Sequence, residues 1–457
     1  MSVDLERPLR HPDSDSPPLM NKRARWLVLL GFLLPGSAQL LAGSRRLGRF
    51  GVAATIVLVL GLLLALAGFL WARELTLTVF TNPIALLAVQ ALIVGYAVLW
   101  LVIGFDTLRL ARLVRLSPGW RVPVAMLSVL LTLVPVAGAA WATMTVGAAR
   151  GAISDIFGDG APAVDPVDGR YNILLLGADA GEDREGLRPD SISLVSVDAE
   201  TGQSAIIGLP RELENMPFPE DSPMHELHPS GFGIDNGCNV GNCYLNGVYA
   251  EVEFFQPELY PDAESSGSSP GIEATKDAVS GATGLEVQFF VLIDMAGFEK
   301  LIDALGGVTV TVDERLPIGG DQWGNGVEGY IEPGEQHLDG FDALWFARSR
   351  YGSATGDYAR MERQRQLQAA ILAQMNPGNV LLRFQEVAGA GKSLVETDIP
   401  ESMLGRFVDL AAKAREHTPV TLDLTPPEVD PAMPDYSEIY GMVTEAVAEA
   451  SPQPEER

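Results

Sequence analysis

The sequence predicts a chain in two parts, an all-α transmembrane region followed by an α/β (α+β) sandwich with a central mixed sheet flanked by helices. Three observations predict it. Residues 1–150 hold 14 Lys+Arg against 6 Asp+Glu, a net +8, whereas the remainder holds 18 against 53, a net −35. Three apolar stretches of bilayer-spanning length all fall in the basic part. In the acidic part, short apolar or alternating runs interleave with longer helical patterns, the mixture that packs helices on a sheet. A basic apolar segment ahead of an acidic one is the pattern of a membrane anchor and an exported domain. The −35 part excludes nucleic acid as a partner, because binding would meet phosphate repulsion rather than release counterions.

Residues 1–25 are polar and Pro-rich over most of their length and read as a disordered cytoplasmic tail. The anchor then covers residues 26–147, with predicted spans at 51–72, 83–105 and 122–144. Arg45, Arg46 and Arg49 precede the first span, and Arg109, Arg112, Arg115 and Arg121 precede the last, so both loops are expected inside. Everything after Met144 is then outside, in a multi-pass protein of the plasma membrane. An additional apolar segment, residues 27–43, is interrupted by Pro35-Gly36. The charge rule favours a re-entrant or interfacial hairpin there over a fourth span, which would carry the basic N-terminus outside. No short apolar core ending in a small-residue cleavage site is present, so the protein is expected to stay anchored.

Residues 148–169 read as a Gly-, Ala-, Pro- and Asp-rich linker. The domain expected at 170–425 opens with strands at 171–176 (YNILLL), 191–197 (SISLVSV) and 203–209, the last two joined by a tight AETG turn. Helices are expected at 245–255, 271–284, 295–305, 358–375, 380–389 and 401–415, and strands at 286–293 and 308–312. Residues 426–457 are a C-terminal helix (436–449) and polar tail. Cys238 and Cys243, with Gly and Asn between them, read as a small-loop disulfide of an exported domain; a Cys-only metal site would need more ligands.

Chemistry concentrates in residues 337–375, where Arg348, Arg350, Arg360, Arg363 and Arg365 crowd into an otherwise acidic region. Asp357 is placed to cap a helix whose face carries Arg360, Arg363, Gln364 and Leu367 at i, i+3, i+4 and i+7. Planar guanidiniums in that array suit an anion with several oxygens; the alternative is a solvated helix paired with local carboxylates. Asp179, Arg188 and Asp190 flank a loop between two strand ends, where paired carboxylates suit Mg²⁺. Pro210-Arg211-Glu212 follows a third strand. His225, His228 and His337 form no metal-ligand spacing and read as loop or surface residues.

NILLLGADAG, LRPDSISLVSVD, AIIGLPRE, LNGVYAEV, VLIDMAGFEKLIDALGGVTVTVDE, and above all PGEQHLDGFDALWFARSR followed by GDYARMERQRQ, resemble the LytR-CpsA-Psr family of cell-wall phosphotransferases. The resemblance covers residues 171–375, with the motifs in the family's order, and the multi-span anchor looks like an actinobacterial variant. It implies a sheet flanked by helices around a hydrophobic tunnel for a polyprenyl tail. The implied reaction moves a glycopolymer from a polyprenyl-pyrophosphate carrier to a peptidoglycan hydroxyl as a phosphate ester. Carried over by motif, Asp179 and Asp190 hold Mg²⁺, while Arg188, Arg211, Arg348, Arg350, Arg360 and Arg363 clamp the pyrophosphate. Asp357 and Gln364 complete the polar shell, and Asp190 or Asp357 takes the acceptor's proton.

The chain departs from the family at three points. Glu212 stands where the family has Asp, Pro189 replaces a small hydroxyl residue, and Ala180-Gly181 follow Asp179 where an Arg is usual, leaving Arg184 to substitute. Three alternatives accompany the ligase reading: a non-catalytic lipid-pyrophosphate presenter, a pyrophosphatase with water as acceptor, and a transcriptional attenuator, the last opposed by the −35 charge and the absence of a helix-turn-helix pattern.

Overall fold

A computed structural model of the chain describes residues 10, 12–156, 163–178, 189–320, 325–349, 357–374 and 395–452. It divides into two compact units, Met1–Arg150 and Gly151–Arg457.

The first unit is helical: α1 (Pro17–Leu33), α2 (Ser37–Ala42), α3 (Arg45–Trp71), α4 (Arg73–Thr81), α5 (Pro83–Ala111) and α6 (Pro118–Ile156). Among the described residues, three helical stretches are long and apolar enough to cross a membrane: Arg45–Trp71, Pro83–Arg115 and Pro118–Gly151. Their apolar side chains face outward, as Leu64, Ile84 and Val134 do, the reverse of a water-soluble bundle. Chain breaks sit where the sequence forbids helix: α1 stops at Leu33 before Pro35, and Gly36 takes φ 96°. Gln39 on α2 is fully buried and donates to Ile103 O, Asp106 Oδ2 and Thr107 Oγ1 at 3.0–3.1 Å.

Three boundaries differ from expectation. Of the segment expected to be a tail as far as residue 25, the part from Pro17 on is helix α1; Met20, Ala24 and Val28 pack on Ala111, Leu116 and Val124, and Asn21 exchanges hydrogen bonds with Ser117. Composition marked that segment as polar, whereas every third or fourth residue is apolar and meets a partner far along the chain. The expected linker is helical as far as Ile156, where Ala-rich sequence extends α6. The stretch left between the spans expected at 51–72 and 83–105 is the short helix α4.

The second unit runs β1 (Arg170–Ala178), β2 (Pro189–Asp198), β3 (Ser204–Leu209), α7 (Pro223–Leu227), α8 (Leu245–Phe255), α9 (Pro270–Thr283), β4 (Phe289–Asp294), α10 (Met295–Leu305), β5 (Val308–Val312), β6 (Leu316–Gly319), β7 (Val327–Ile331), β8 (Gly334–Leu338), α11 (Gly340–Arg348), α12 (Asp357–Gln374), β9 (Val395–Thr397), α13 (Leu404–Ala414), β10 (Val420–Asp423) and α14 (Tyr436–Glu449). The helix expected at 380–389 lies outside the described residues. A mixed six-stranded sheet has the order β10-β3-β2-β1-β4-β9, and β5-β8 and β6-β7 form two small ladders.

Residue alternation gives the sheet two apolar faces. Leu174, Leu176, Ile192, Leu194, Phe290 and Leu292 point to the main core, built with α8, α9 and α14. Ile173, Leu175, Val195, Val197, Val291 and Ile293 point to the opposite side and line a cavity. The C-terminal helix α14 supplies Ile439 and Val443 to the main core, so the domain does not end at residue 425 as expected. Arg170 locks that helix's end to the sheet, donating to Ala450 O, Ser196 O and Ser196 Oγ at 2.8–3.1 Å.

Cys238 and Cys243 are bonded to each other, as expected. Beside them Glu251, almost fully buried, accepts from Asn239 N, Asn239 Nδ2 and Val240 N at 2.7–3.1 Å, pinning the loop. His228 departs from the surface reading: it is 3% exposed, between the rings of Phe218 and Phe232.

Burial holds the His228 imidazole below its ordinary value, against the weaker pull of Glu251 and Asp235. The unfolded chain therefore binds that proton more readily, so the stability it contributes is present above its unfolded value of about 6.5 and declines as pH falls below it. Thermal unfolding should show a Tm that drops between pH 7.5 and 5.5, with a smaller drop in His228→Gln.

Candidate functional site

The cavity beneath the second sheet face has a volume of about 900 Å³ and is roofed by α12 and α13. Strand direction gives it two chemically different ends. β1 and β4 run parallel with Ala178 beside Asp294, and β2 runs back from Asp190, so polar strand termini gather at one end. Away from that end the walls are apolar, with Ile173, Val197, Ile399, Phe407 and Leu410. α12 spans the gradient: Arg360, Gln364, Leu367 and Ile371 line the cavity in that order.

At the polar end Asp190 is the extra residue of a β-bulge, since Gly177 pairs with Ser191 and Ala178 with Pro189. A bulge turns a side chain out of the ladder's alternation. Pro189 suits it, because the position makes no demand for a ladder donor. Asp190 Oδ1 accepts from Arg211 Nη1 at 2.7 Å, and its carbonyl accepts from Arg360 Nη2 at 3.3 Å. Arg211 is itself fixed: its carbonyl accepts from Asn246 N at 3.0 Å, and its Nε lies 3.8 Å from Glu212. The Glu in place of the family's Asp therefore leaves Arg211 aimed at Asp190. Arg348 and Trp345, from the last turns of α11, complete this rim.

The arginines differ in what they do. Arg211, Arg348 and Arg360 line the cavity with Asp190 and Gln364. Arg363 is not among the lining residues; it is buried, and it donates from Nε to Phe346 O at 3.0 Å and from Nη2 to Ser349 O. Those are carbonyls at the end of α11, which a helix leaves without intrahelical partners. Gln364 Nε2 does the same for Ala347 O at 3.2 Å. Arg365 points elsewhere, pairing with Asp423 on β10 and packing on Gly208 of β3, where a Cβ would meet its guanidinium. Burial pushes Arg365 down to about 9 and lowers Arg363.

Asp179, Arg184, Arg188 and Arg350 lie outside the described residues. Asp357 opens α12, three residues before Arg360, with its side chain outside them. The sequence reading missed Asp294, which lines the cavity and caps α10 by accepting from Gly297 N at 2.6 Å. Its signal was there: an Asp ending an apolar strand and opening a helix. Among the described residues no cluster of three or more His, Cys, Asp or Glu is placed to hold a metal ion.

The LytR_cpsA_psr family model matches residues 152–451. The chain is 26% identical over 370 residues to the cell wall biosynthesis protein LcpA of Corynebacterium glutamicum, covering 74% of this chain and 67% of that one. It is 28% identical over 254 residues to the polyisoprenyl-teichoic acid–peptidoglycan teichoic acid transferase TagU of Oceanobacillus iheyensis, covering 54% and 64%. These matches thus span about two thirds of each relative's length. The crystal structure of TagV from B. subtilis shares 20% identity at a TM-score of 0.42, covering 62% of this chain and 98% of that one.

Removing Arg363 should expose what it holds. Arg363→Met leaves two carbonyls of the α11 end unpaired in a buried site, a loss of about 2–3 kcal/mol. Urea unfolding should show it, and Arg363→Lys, which can reach one carbonyl, should recover part.

Proposed function

Because this chain belongs to the LytR-CpsA-Psr family, we propose that it is a membrane-anchored phosphotransferase that moves a glycopolymer from a polyprenyl-pyrophosphate carrier to peptidoglycan as a phosphodiester. The observation that carries the proposal is the cavity's polarity: one apolar space of about 900 Å³ is also lined by three arginines, Arg211, Arg348 and Arg360, with the carboxylates of Asp190 and Asp294 and the amide of Gln364. That is the shape of a ligand with a long hydrocarbon tail and a multiply charged head. The relatives' names speak of cell wall biosynthesis and of teichoic acid transfer to peptidoglycan, which supports the same class of substrate.

In this reading the isoprenoid lies along the sheet face between Ile173 and Phe407, and the pyrophosphate rests against Arg211, Arg348 and Arg360, with Arg188 and Arg350 carried over by motif. Guanidiniums bind phosphate oxygens bidentately and stabilise charge that builds on the leaving group. Arg363 acts from behind as a positioning residue, fixing the helix end that carries Arg348. The acceptor hydroxyl attacks the glycan-side phosphorus, the P–O–P bridge breaks, and polyprenyl phosphate leaves. The hydroxyl's proton passes to Asp190 or Asp357. Phosphoryl transfer of this kind relies on positioning and electrostatics more than on covalent help.

The donor set fits Mg²⁺ bound chiefly through substrate. Asp190 is a carboxylate at the rim and Asp179 directly follows the β1 terminus, few protein oxygens for an ion that takes the rest from phosphate and water. Held by these two residues, Mg²⁺ would neutralise phosphate charge and orient the leaving group. The basic segments around Arg45 and around Arg109 to Arg121 support an inside position for themselves and an outside one for the domain. The Cys238–Cys243 bond suits that oxidising side.

The test is in vitro transfer by the purified chain, with a polyprenyl-pyrophosphate glycan, peptidoglycan fragments and Mg²⁺. Polyprenyl phosphate should be released as glycan joins the acceptor. Chelation should abolish transfer, and Arg360→Ala should cut the rate about 10²-fold or more. Tight lipid binding without transfer would make the protein a presenter, and release without attachment a pyrophosphatase.

A further inference from the structure

Near the rim, α11 carries two aromatic side chains that the fold leaves in part uncovered. α11 presents Phe341, Trp345 and Arg348 at i, i+4 and i+7, which puts them on one side of the helix. Arg348 and Trp345 line the cavity, whereas Phe341 lies beyond it and is 45% exposed. The Phe341 ring meets Trp345 edge-on, with centroids 6.4 Å apart and planes at 66°. The Arg348 guanidinium sits over Trp345, 5.6 Å from its centroid. The stripe thus runs from the charged rim outward, and Trp345 is held in place from both sides.

We propose that Trp345 and Phe341 are the stacking platform for the first two sugar rings of the pyrophosphate-linked glycan, and so determine which glycans are accepted. The proposal rests on the function proposed above and deepens it. A pyranose shows an apolar face of C–H groups, polarised toward an aromatic π cloud, while its hydroxyls stay at the edge in water. A half-buried Trp345 at a polar rim, continued by the exposed ring of Phe341, matches that chemistry. The hydrocarbon tail has the apolar wall from Ile173 to Phe407, and Phe341 is not among the residues that line that space, so its exposed ring is left for a part of the ligand beyond it. Length agrees as well: seven residues of helix advance about 10 Å, room for about two rings. The fold does not require Phe341, which lies outside the apolar clusters, whereas Trp345 also packs on the small core under α11.

Calorimetric titration of the full-length chain in detergent tests this, with three probes: bare polyprenyl pyrophosphate, and the same lipid carrying one or two N-acetylhexosamine residues. Wild type should bind the disaccharide lipid most tightly. Phe341→Ala should weaken that binding about three- to tenfold and leave the other two lipids unchanged. Trp345→Phe, which keeps a ring, should weaken both sugar-bearing lipids by less than Trp345→Ala does. Equal losses on all three lipids, no loss in Phe341→Ala, or wild-type binding indifferent to sugar would each overturn the platform while leaving the proposed function standing. Failure of wild type to bind any of the three would overturn both.

Discussion

The domain depends on a sheet that is apolar on both faces and packed solid on only one. Strand alternation sends Leu174, Leu194 and Phe290 into a core that excludes water, and their neighbours Leu175, Val195 and Val291 toward a space that side chains leave unfilled. Close-packed interiors seldom keep voids larger than a water molecule. Here the walls are held apart by elements anchored elsewhere. Arg365 ties α12 to β10 through Asp423, and Arg363 ties it to the end of α11. α13 is held by its own Phe407 and Leu410, which pack with Tyr171, Phe289 and Ile399 at the apolar end of the cavity face. Cavity and core are thus two results of one period-two pattern.

The rim follows from where strands stop. Apolar alternation ends at Ala178, Pro189, Leu209 and Asp294, and polar residues begin where the backbone leaves the sheet. The bulge at Asp190 and the Asn246 bond to Arg211 turn two opposite charges toward each other, so neither faces the cavity alone. The arginines in this region differ for the same reason: a guanidinium is held wherever acceptors are, whether a bulge carbonyl for Arg360, helix-end carbonyls for Arg363, or Asp423 for Arg365. Sequence spacing placed Arg360, Arg363 and Gln364 on one helical face, but a face about 100° wide meets both the cavity and the neighbouring helix.

Much of the architecture was legible beforehand because its signals are local. YNILLL, SISLVSV and VTVTV announce strands, and MAGFEKLIDALGG carries a helix and its Gly306-Gly307 stop together, whereas the cap just before it, Asp294, went unread. The elements that escaped notice depend on distant partners. β6 to β8 are short and polar enough that only pairing defines them, β9 and β10 are three and four residues at the sheet's edges, and α1 is amphipathic only toward Leu116 and Val124. His228 looked like a loop histidine, as it is, but the rings that bury it come from residues 218 and 232. Of the site, residue types and order were readable; whether a given arginine faces ligand or backbone was not, because the α11 carbonyls that decide it belong to another segment.

The charge division of the chain bears on how an anionic ligand reaches this rim. A domain of net −35 repels anions at long range, so steering through solution would slow rather than speed their approach. That repulsion is screened beyond about 8 Å at physiological ionic strength, and inside this distance Arg211, Arg348 and Arg360 dominate. In the proposed reading the ligand does not arrive through solution. Its tail keeps it in the same membrane that holds the anchor, so encounter is confined to a plane and needs no long-range attraction. An acidic surface then costs little in rate, and it discourages free phosphates from occupying the arginines, while the tail that fills the apolar cavity supplies the affinity a soluble anion lacks.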